Sequence, residues 1–383
     1  MQTARSGRNS IDTSRSPFVQ ADHTSENVTT RPARNRRISV GTALGVLVVL
    51  LVATVVLACG VGAFPIAPAT IARILLRGVG FASTDDIAPE QEAVLWSIRL
   101  PRVLLAVVVG GGLGAAGAAM QALFRNPLAD PSLTGVSGGA ALAATSVIVM
   151  GASLLPGLAH IVGVATLPLA AFGGGLVVSI FVYRLATRGG HTSIAALLLA
   201  GIALNALAEA GIGLFTFIAS DEQLRNLTFW RLGSVAGATW PVIAFVAPAI
   251  VLASCVLVGQ ARAYDALALG EAEARYLGVR VERIKSLTLV CCALAAGTAV
   301  AVSGMVLFVG LVAPHLVRLA CGPAHRVVLP GGMLAGAILV VGADAIARTI
   351  AAPAELPLGV FTALLGVPFF IALLMRQRET WNL

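Results

Sequence analysis

Uncharged apolar runs of roughly 20 residues recur along this chain and are separated by short segments rich in arginine. A helix of that length crosses the hydrocarbon core of a bilayer. In lipid, every backbone N–H and C=O must be satisfied within the spanning structure, and a run of this length satisfies them as a helix. The pattern therefore predicts an all-α, polytopic membrane protein with about ten transmembrane helices.

The predicted spans set the topology of the chain. They lie at about 38–62, 100–123, 132–153, 160–186, 193–219, 240–260, 286–304, 306–320, 327–348 and 356–375. Most of the 26 basic residues then fall on the side of the N-terminal tail, and such an excess marks the cytoplasmic side. We therefore expect both termini in the cytoplasm, with the span at 306–320 broken by Pro314.

The composition excludes a soluble globular protein, because only 11% of the residues are charged where about 25% is usual. The net charge of +8 comes almost wholly from arginine, since Lys285 is the only lysine. This charge is distributed over the loops between spans, which indicates contact with anionic membrane lipid and not with nucleic acid. The expected location is the cytoplasmic membrane, with multiple crossings.

Two parts of the chain are expected. Residues 1–37 are polar and basic, with almost no large apolar side chain, and are interpreted as a disordered cytoplasmic tail. Residues 38–383 form the transmembrane domain, which includes a charged cytoplasmic segment at 262–285.

Catalytic and metal-binding patterns are absent from the sequence. The five cysteines have no ligand spacing, no Ser, His and Asp arrangement suggests a nucleophile, and no Walker motif occurs. We expect no enzyme activity, no metal site and no cofactor, so any ATP hydrolysis must come from a separate subunit.

The stretch from Arg99 to Pro131 is the most unusual of the apolar runs. It begins with two arginines, contains many small residues at a spacing that lets helix backbones touch in lipid, and ends at Asn126-Pro127. Two interpretations stay open: a tightly packed structural helix, or a helix beside a transport pathway with functional loops at both ends.

Carboxylates within the spans are rare, and such residues are functional hypotheses by default. Glu209 either lines a pathway or packs against Asn205 one helical turn away. Asp344 and Arg348 are spaced to form a pair on one helix. These carboxylates also motivate an alternative class of function, an ion-coupled secondary transporter.

The segment 262–285 contains a predicted short helix, ALGEAEARYL, with Gly278 placed as its C-terminal stop. A compact, charged helix-turn-helix suits docking to a soluble partner, and an ordinary solvated loop is the alternative.

Several motifs together resemble one family, the membrane permeases of type II ABC importers for iron-siderophores, haem and vitamin B12. The matching segments are RLPRVLLAVVVGGGLGAAGAAMQALFRNPLADPSLTGVSGGA (99–140), LLLAGIALNAL (197–207), ALGEAEARYLGV (268–279), SGMVLFVGLVAPHLVRL (303–319), HRVVLPGGMLAGAILVVGADAIAR (325–348) and ELPLGVFTALLGVPFFIALL (355–374). The resemblance implies a vitamin B12 permease-like fold in which residues 38–383 form the permease domain.

The resemblance also implies partners and site residues. It implies two copies of a cytoplasmic ABC ATPase, an extracytoplasmic solute-binding protein and a second permease copy in a homodimer. Binding-protein docking is expected at Arg99, Arg102 and Arg348. ATPase coupling is expected at Leu269, Gly270, Glu271, Arg275, Leu277 and Gly278. An inner gate is expected at Asn126, Pro127, Leu128, Thr192 and Ser193. Pathway residues are expected at Gly110, Gly114, Gly117, Gly201, Asn205 and Glu209.

The cargo is suggested by the stretch 197–240, which is most similar to the haem-importing branch. Two positions depart from the pattern of that branch: Glu209 stands where glycine is usual, and Arg231 where serine is usual. The similarity of the rest of this stretch favours haem as the substrate. A ferric siderophore is the alternative, and vitamin B12 is less favoured than either.

Overall fold

A computed structural model describes residues 40–62, 64–78, 80, 87–154, 165–350 and 354–381 of the chain. The predicted tail at 1–37 lies outside the described residues. The described part is helical apart from one small hairpin, and this confirms the predicted all-α class.

The helices follow one another along the chain with short connections. The first are α1 (Val40–Gly60), α2 (Pro68–Gly78), α3 (Pro89–Val94), α4 (Leu100–Phe124), α5 (Val136–Leu154), α6 (Thr166–Ala186), α7 (Ile194–Ile218) and α8 (Asp221–Leu232). The remainder are α9 (Trp240–Gly259), α10 (Ala261–Leu269), α11 (Glu271–Tyr276), α12 (Val281–Ser303), α13 (Val309–Cys321), α14 (His325–Ile350) and α15 (Leu358–Trp381). Strands β1 (Thr187–Arg188) and β2 (His191–Thr192) pair antiparallel.

Seven of the described helices are long and apolar enough to span a membrane, and shorter apolar helices occupy 136–151, 309–321 and 358–373. These positions agree with the predicted spans. In their most apolar windows α12 is 72% buried and α14 is 67% buried, whereas α1, α6 and α7 are each 17% buried. Helices α12 and α14, together with the 83% buried α4 region, therefore form the centre of the helical domain.

Glycines explain why α4 can lie at this centre. A Cβ atom on Gly110 would overlap the backbone of Gly336, and one on Gly114 would overlap the carbonyl oxygen of Gly332. Helices α4 and α14 thus touch backbone to backbone, as the small-residue spacing predicted. The close packing expected for the stretch 99–131 is present, and its position beside a pathway stays a prediction.

Two local predictions were wrong. The predicted single helix at 268–277 is divided at Gly270, whose φ of +137° is accessible to glycine and separates α10 from α11. The predicted break at Pro314 does not occur, because α13 continues through this residue. Pro314 is buried against Gly332 of α14, and neighbouring helices make proline tolerable within an apolar helix.

Candidate functional site

Arg102, near the start of α4, forms a buried ion-pair cluster with two carboxylates. Its Nε and Nη2 atoms donate to Asp344 of α14 at 2.9–3.1 Å, and Nη1 donates to Glu355 Oε1 at 2.7 Å. The predicted pair between Asp344 and Arg348 is also present, with 3.8 Å between Nε and Oδ2. Arg102 is nevertheless the closer partner of Asp344.

Arg99 and Arg348 cap the last turn of helix α1. Arg99 donates to the carbonyl oxygens of Cys59 and Phe64, and Arg348 donates to that of Ala58. The last carbonyls of a helix lack partners within it and carry partial negative charge, so cations there are stabilising. The three arginines predicted to dock a binding protein therefore also hold α1, α4 and α14 together, and their docking role stays a prediction.

The remaining glycines predicted to line a pathway lie at close contacts between elements. A Cβ atom on Gly117 would overlap the backbone of Gly310 in α13, and one on Gly201 would overlap the carbonyl oxygen of Leu133. Gly110 and Gly114 face α14, as described above. Their pathway role stays a prediction, and in this structure all four allow backbones to approach closely.

Asn205 and Glu209 have different partners, although they lie one turn apart on α7. Asn205 Nδ2 donates to the carbonyl oxygen of Ser132 at 3.0 Å. Glu209 instead accepts from Arg231 Nη2, at 3.1 Å to Oε1 and 3.2 Å to Oε2. The two residues that depart from the haem-branch pattern are thus bonded to each other.

The predicted gate turn follows helix α4 directly. Arg125 adopts a left-handed conformation with φ of +49°, and its N–H bonds to the carbonyl oxygen of Ala122. The Asn126 side chain then accepts from the N–H of Leu128 at 2.9 Å across Pro127. This side-chain turn ends α4 and fixes the course of the segment that follows.

The second predicted gate segment joins the β1–β2 hairpin to α7. Ser193 is the N-cap of α7, and its side chain accepts from the N–H of Ala196. Thr192 is buried and bonds to Thr187 across the hairpin at 3.0 Å between hydroxyl oxygens. The hairpin residue Thr192 is thus followed directly by the N-cap residue of α7.

A buried lysine connects this gate segment to the predicted coupling segment. Lys285 Nζ donates to the carbonyl oxygen of Thr192 at 3.0 Å, to Glu271 Oε2 at 2.8 Å and to Glu282 Oε1 at 3.3 Å. Glu282 Oε2 accepts in turn from the N–H of Thr192 at 2.9 Å. All three ammonium donors are used, so α11, α12 and the hairpin meet at one cation.

Sequence reasoning missed Lys285 and Glu282 as site residues. A signal was present, because Lys285 is the single lysine of an arginine-rich chain. Its ammonium group can point three donors in different directions, which the planar guanidinium of arginine does not.

The coupling segment is anchored on one side and exposed on the other. Tyr264 of α10 is fully buried, and its hydroxyl lies 2.7 Å from that of Thr288. Burial raises the pKa of Tyr264 well above its usual range, so the phenol stays neutral. The apolar side chains of Leu269, Tyr276 and Leu277 are 67%, 92% and 64% exposed.

Gly278 ends α11 as predicted. Its φ is +84°, its N–H bonds to the carbonyl oxygen of Arg275, and the N–H of Val279 bonds to that of Ala274. This pair of bonds is the Schellman arrangement that glycine favours at a helix end. Arg275 lies on the exposed face, 3.8 Å from Glu271 and 3.5 Å from Glu282.

Helices long and apolar enough to cross a bilayer define the protein as a multi-pass membrane protein. Comparison with known families identifies the group: the FecCD transport family matches residues 50–376, and the chain belongs to this family. Members are permease subunits of ABC importers, which work with an ATPase and a substrate-binding protein. The protein is thus a multi-pass transport subunit of the inner membrane and not itself an enzyme.

Individual relatives support the assignment. The hemin transport system permease protein HmuU of Yersinia pestis is 46% identical over 350 residues, covering 90% of this chain and 98% of that protein. The cobalamin import system permease protein BtuC of Halobacterium salinarum is 41% identical over 288 residues, or 75% of this chain and 74% of that protein. A solved inward-facing metal-chelate type ABC transporter matches with a TM-score of 0.74 and 32% identity, covering 87% of this chain and 98% of that one.

Proposed function

We propose that this permease imports haem, which it receives from a solute-binding protein and moves inward with energy from a separate ATPase. The observation that carries the proposal is the 46% identity to a hemin permease over 98% of that protein. The relatives named for cobalamin have lower identity, at 41% and 39%. A ferric siderophore is the second candidate cargo, because the structural neighbour is a metal-chelate transporter.

The segment 262–285 is proposed to dock the ATPase. Leu269, Tyr276 and Leu277 expose large apolar side chains on a segment between spans, and exposed apolar groups of this kind favour a protein interface. Gly270 and Gly278 shape the two turns of this surface. Glu271 and Arg275 add charge at its edge, with Glu271 also bonded to Lys285.

Movement of this segment is proposed to reach the inner gate through Lys285. The ammonium group bonds both to Glu271 of the docking segment and to Thr192 of the gate hairpin. Ser193 follows Thr192 and begins α7. The Asn126-Pro127-Leu128 turn is proposed to form the other side of the inner gate. A rigid contact of this kind can transmit a rotation of α11 to α7 without unfolding either helix.

On the predicted outer face, Arg99, Arg102 and Arg348 are proposed to orient the binding protein. Of the three arginines, Arg102 is the best placed to contact the binding protein, because the side chain of its partner Glu355 is 47% exposed. A glutamate of the binding protein could replace Glu355 on the same guanidinium. Such exposed pairs contribute about 1 kcal/mol or less and mainly set orientation.

A second copy of the chain and two ATPase copies are proposed to complete the transporter. Helix α7 supports this arrangement, because side chains such as Leu207, Leu214 and Phe217 are 66–89% exposed on it. The pathway would then run between copies beside α7, which carries Gly201, Asn205 and Glu209. Gly110, Gly114 and Gly117 of α4 are proposed to belong to the same pathway.

An ion-coupled mechanism is the alternative from another class, motivated by Glu209 and Asp344. Both carboxylates bond to arginines in the described structure, Glu209 to Arg231 and Asp344 to Arg102. A carboxylate that carries an ion must be free to bind it, whereas both of these carboxylates are already bonded to a cation of the protein. These pairs favour the ATP-driven mechanism.

The cargo is tested by growth of a deletion strain in which haem, a ferric siderophore or neither is the iron source. Loss of growth on haem alone, restored by the wild-type gene, is the expected result. Vitamin B12 uptake measured in the same strain provides the control for the third cargo. Normal growth on haem with lost use of the siderophore would overturn the proposal.

A further inference from the structure

The ion pair between Glu209 and Arg231 joins two consecutive helices away from the corner between them. Helices α7 and α8 are connected at residues 219–220. Glu209 precedes the end of α7 by about 14 Å, and Arg231 follows the start of α8 by about 15 Å. The two side chains thus meet at similar distances from the connection between the two helices.

Arg231 also lines an apolar cavity of about 480 Å³ between α8, α15 and the connection from α12 to α13. Leu232, Met305, Val360 and Leu364 are among the other lining residues, and within the described part of the chain Arg231 is the single charged one. The guanidinium is 36% exposed and the Glu209 carboxylate 50% exposed at the side chain. A ligand in the cavity can therefore reach the cation.

We propose that Arg231 recognises a carboxylate on an otherwise apolar substrate and that Glu209 is the counter-ion this carboxylate displaces. The apolar residues of the cavity contact the body of the ligand, and the Arg231 guanidinium binds the carboxylate at its edge. An exposed ion pair is individually weak, so exchange of Glu209 for a substrate carboxylate costs little. The inference rests on the proposed function, and it defines the substrate class as an apolar metal chelate with free carboxylates.

The test compares uptake of haem with uptake of its dimethyl ester, which has no free carboxylate. The complete complex of permease, ATPase and binding protein is reconstituted in liposomes. For each variant, uptake of haem is divided by uptake of the ester, and this haem-to-ester ratio is compared with the wild-type ratio. The preference of the binding protein is the same in both and therefore cancels. Glu209→Gln should raise this ratio roughly twofold to fivefold, and Arg231→Gln should lower it by a similar factor.

The double variant Glu209→Gln/Arg231→Gln should have a ratio below that of wild type, because the recognising cation is lost, but above that of Arg231→Gln, in which the unpaired Glu209 also repels the substrate carboxylate. A pair that only braces α7 against α8 would change uptake of both ligands equally, and an unchanged ratio in both single variants would overturn the inference. If the wild-type protein imports neither ligand, the proposed cargo is wrong. The same ratio, measured for a ferric chelate with free carboxylates and its methyl ester, then decides the role of the pair.

Discussion

Lys285→Met is expected to reduce substrate uptake at least about tenfold while the protein still inserts into the membrane. The lysine side chain is 4% exposed, and methionine fills similar space without the cation. Its loss leaves Glu271 and Glu282 close together with only the exposed Arg275 as a shared cation, at 3.8 and 3.5 Å. Removing one member of a buried pair costs roughly 3–5 kcal/mol. Because the two carboxylates are 31% and 27% exposed, we expect about 2–3 kcal/mol here.

The measurement is ATP-driven uptake by the reconstituted complex, together with the ATP hydrolysis rate. Hydrolysis that continues without uptake would locate the defect between the docking segment and the gate. Arg77→Gln is the matched control, because it breaks an exposed pair with Glu92 whose side chains are 46% and 35% exposed. Uptake by the control should stay within about twofold of wild type. Wild-type uptake in Lys285→Met would refute the proposed link.

Gly114→Val should destabilise the permease by about 3 kcal/mol or more. The added Cβ would overlap the carbonyl oxygen of Gly332, and backbone atoms cannot move aside as a flexible side chain can. Helix α14 must then separate from α4, which disturbs the most buried helix contact of the domain. The fraction of monodisperse protein after heating in detergent measures this effect.

Gly173→Val is the control for that prediction. Gly173 also lies in a spanning helix, but a Cβ atom there meets no other atom within 4 Å. Its fraction of monodisperse protein after the same heating in detergent should stay close to that of wild type. Equal stability of the two variants would show that the close approach of α4 and α14 does not limit stability.

Some features of this fold could be predicted from the sequence, because they depend on residues that are close together in the chain. The small-residue spacing in the stretch 99–131 predicted the contact of helix backbones, and Gly278 predicted the end of α11 through its conformational freedom. Gly270 was missed as a break, since its neighbours favour a helix and its φ of +137° depends on the packing of α10 and α11.

The partners of Arg102 and Glu209 could not be predicted, because each pair joins two different helices. Arg102 and Asp344 are separated by 242 positions, and Glu209 was compared with Asn205 on its own helix, whereas its partner is Arg231 on the next. Only the folded arrangement of α7 and α8 brings that pair together. Which side of the membrane each terminus faces stays a prediction from the arginine distribution.

The most direct test of this account is haem uptake into liposomes that contain the permease, its ATPase and its binding protein. We predict uptake only with ATP on the ATPase side, its loss when the catalytic glutamate of the ATPase is replaced, and no effect of collapsing the proton or sodium gradient. Uptake driven by an ion gradient without ATP would contradict the account.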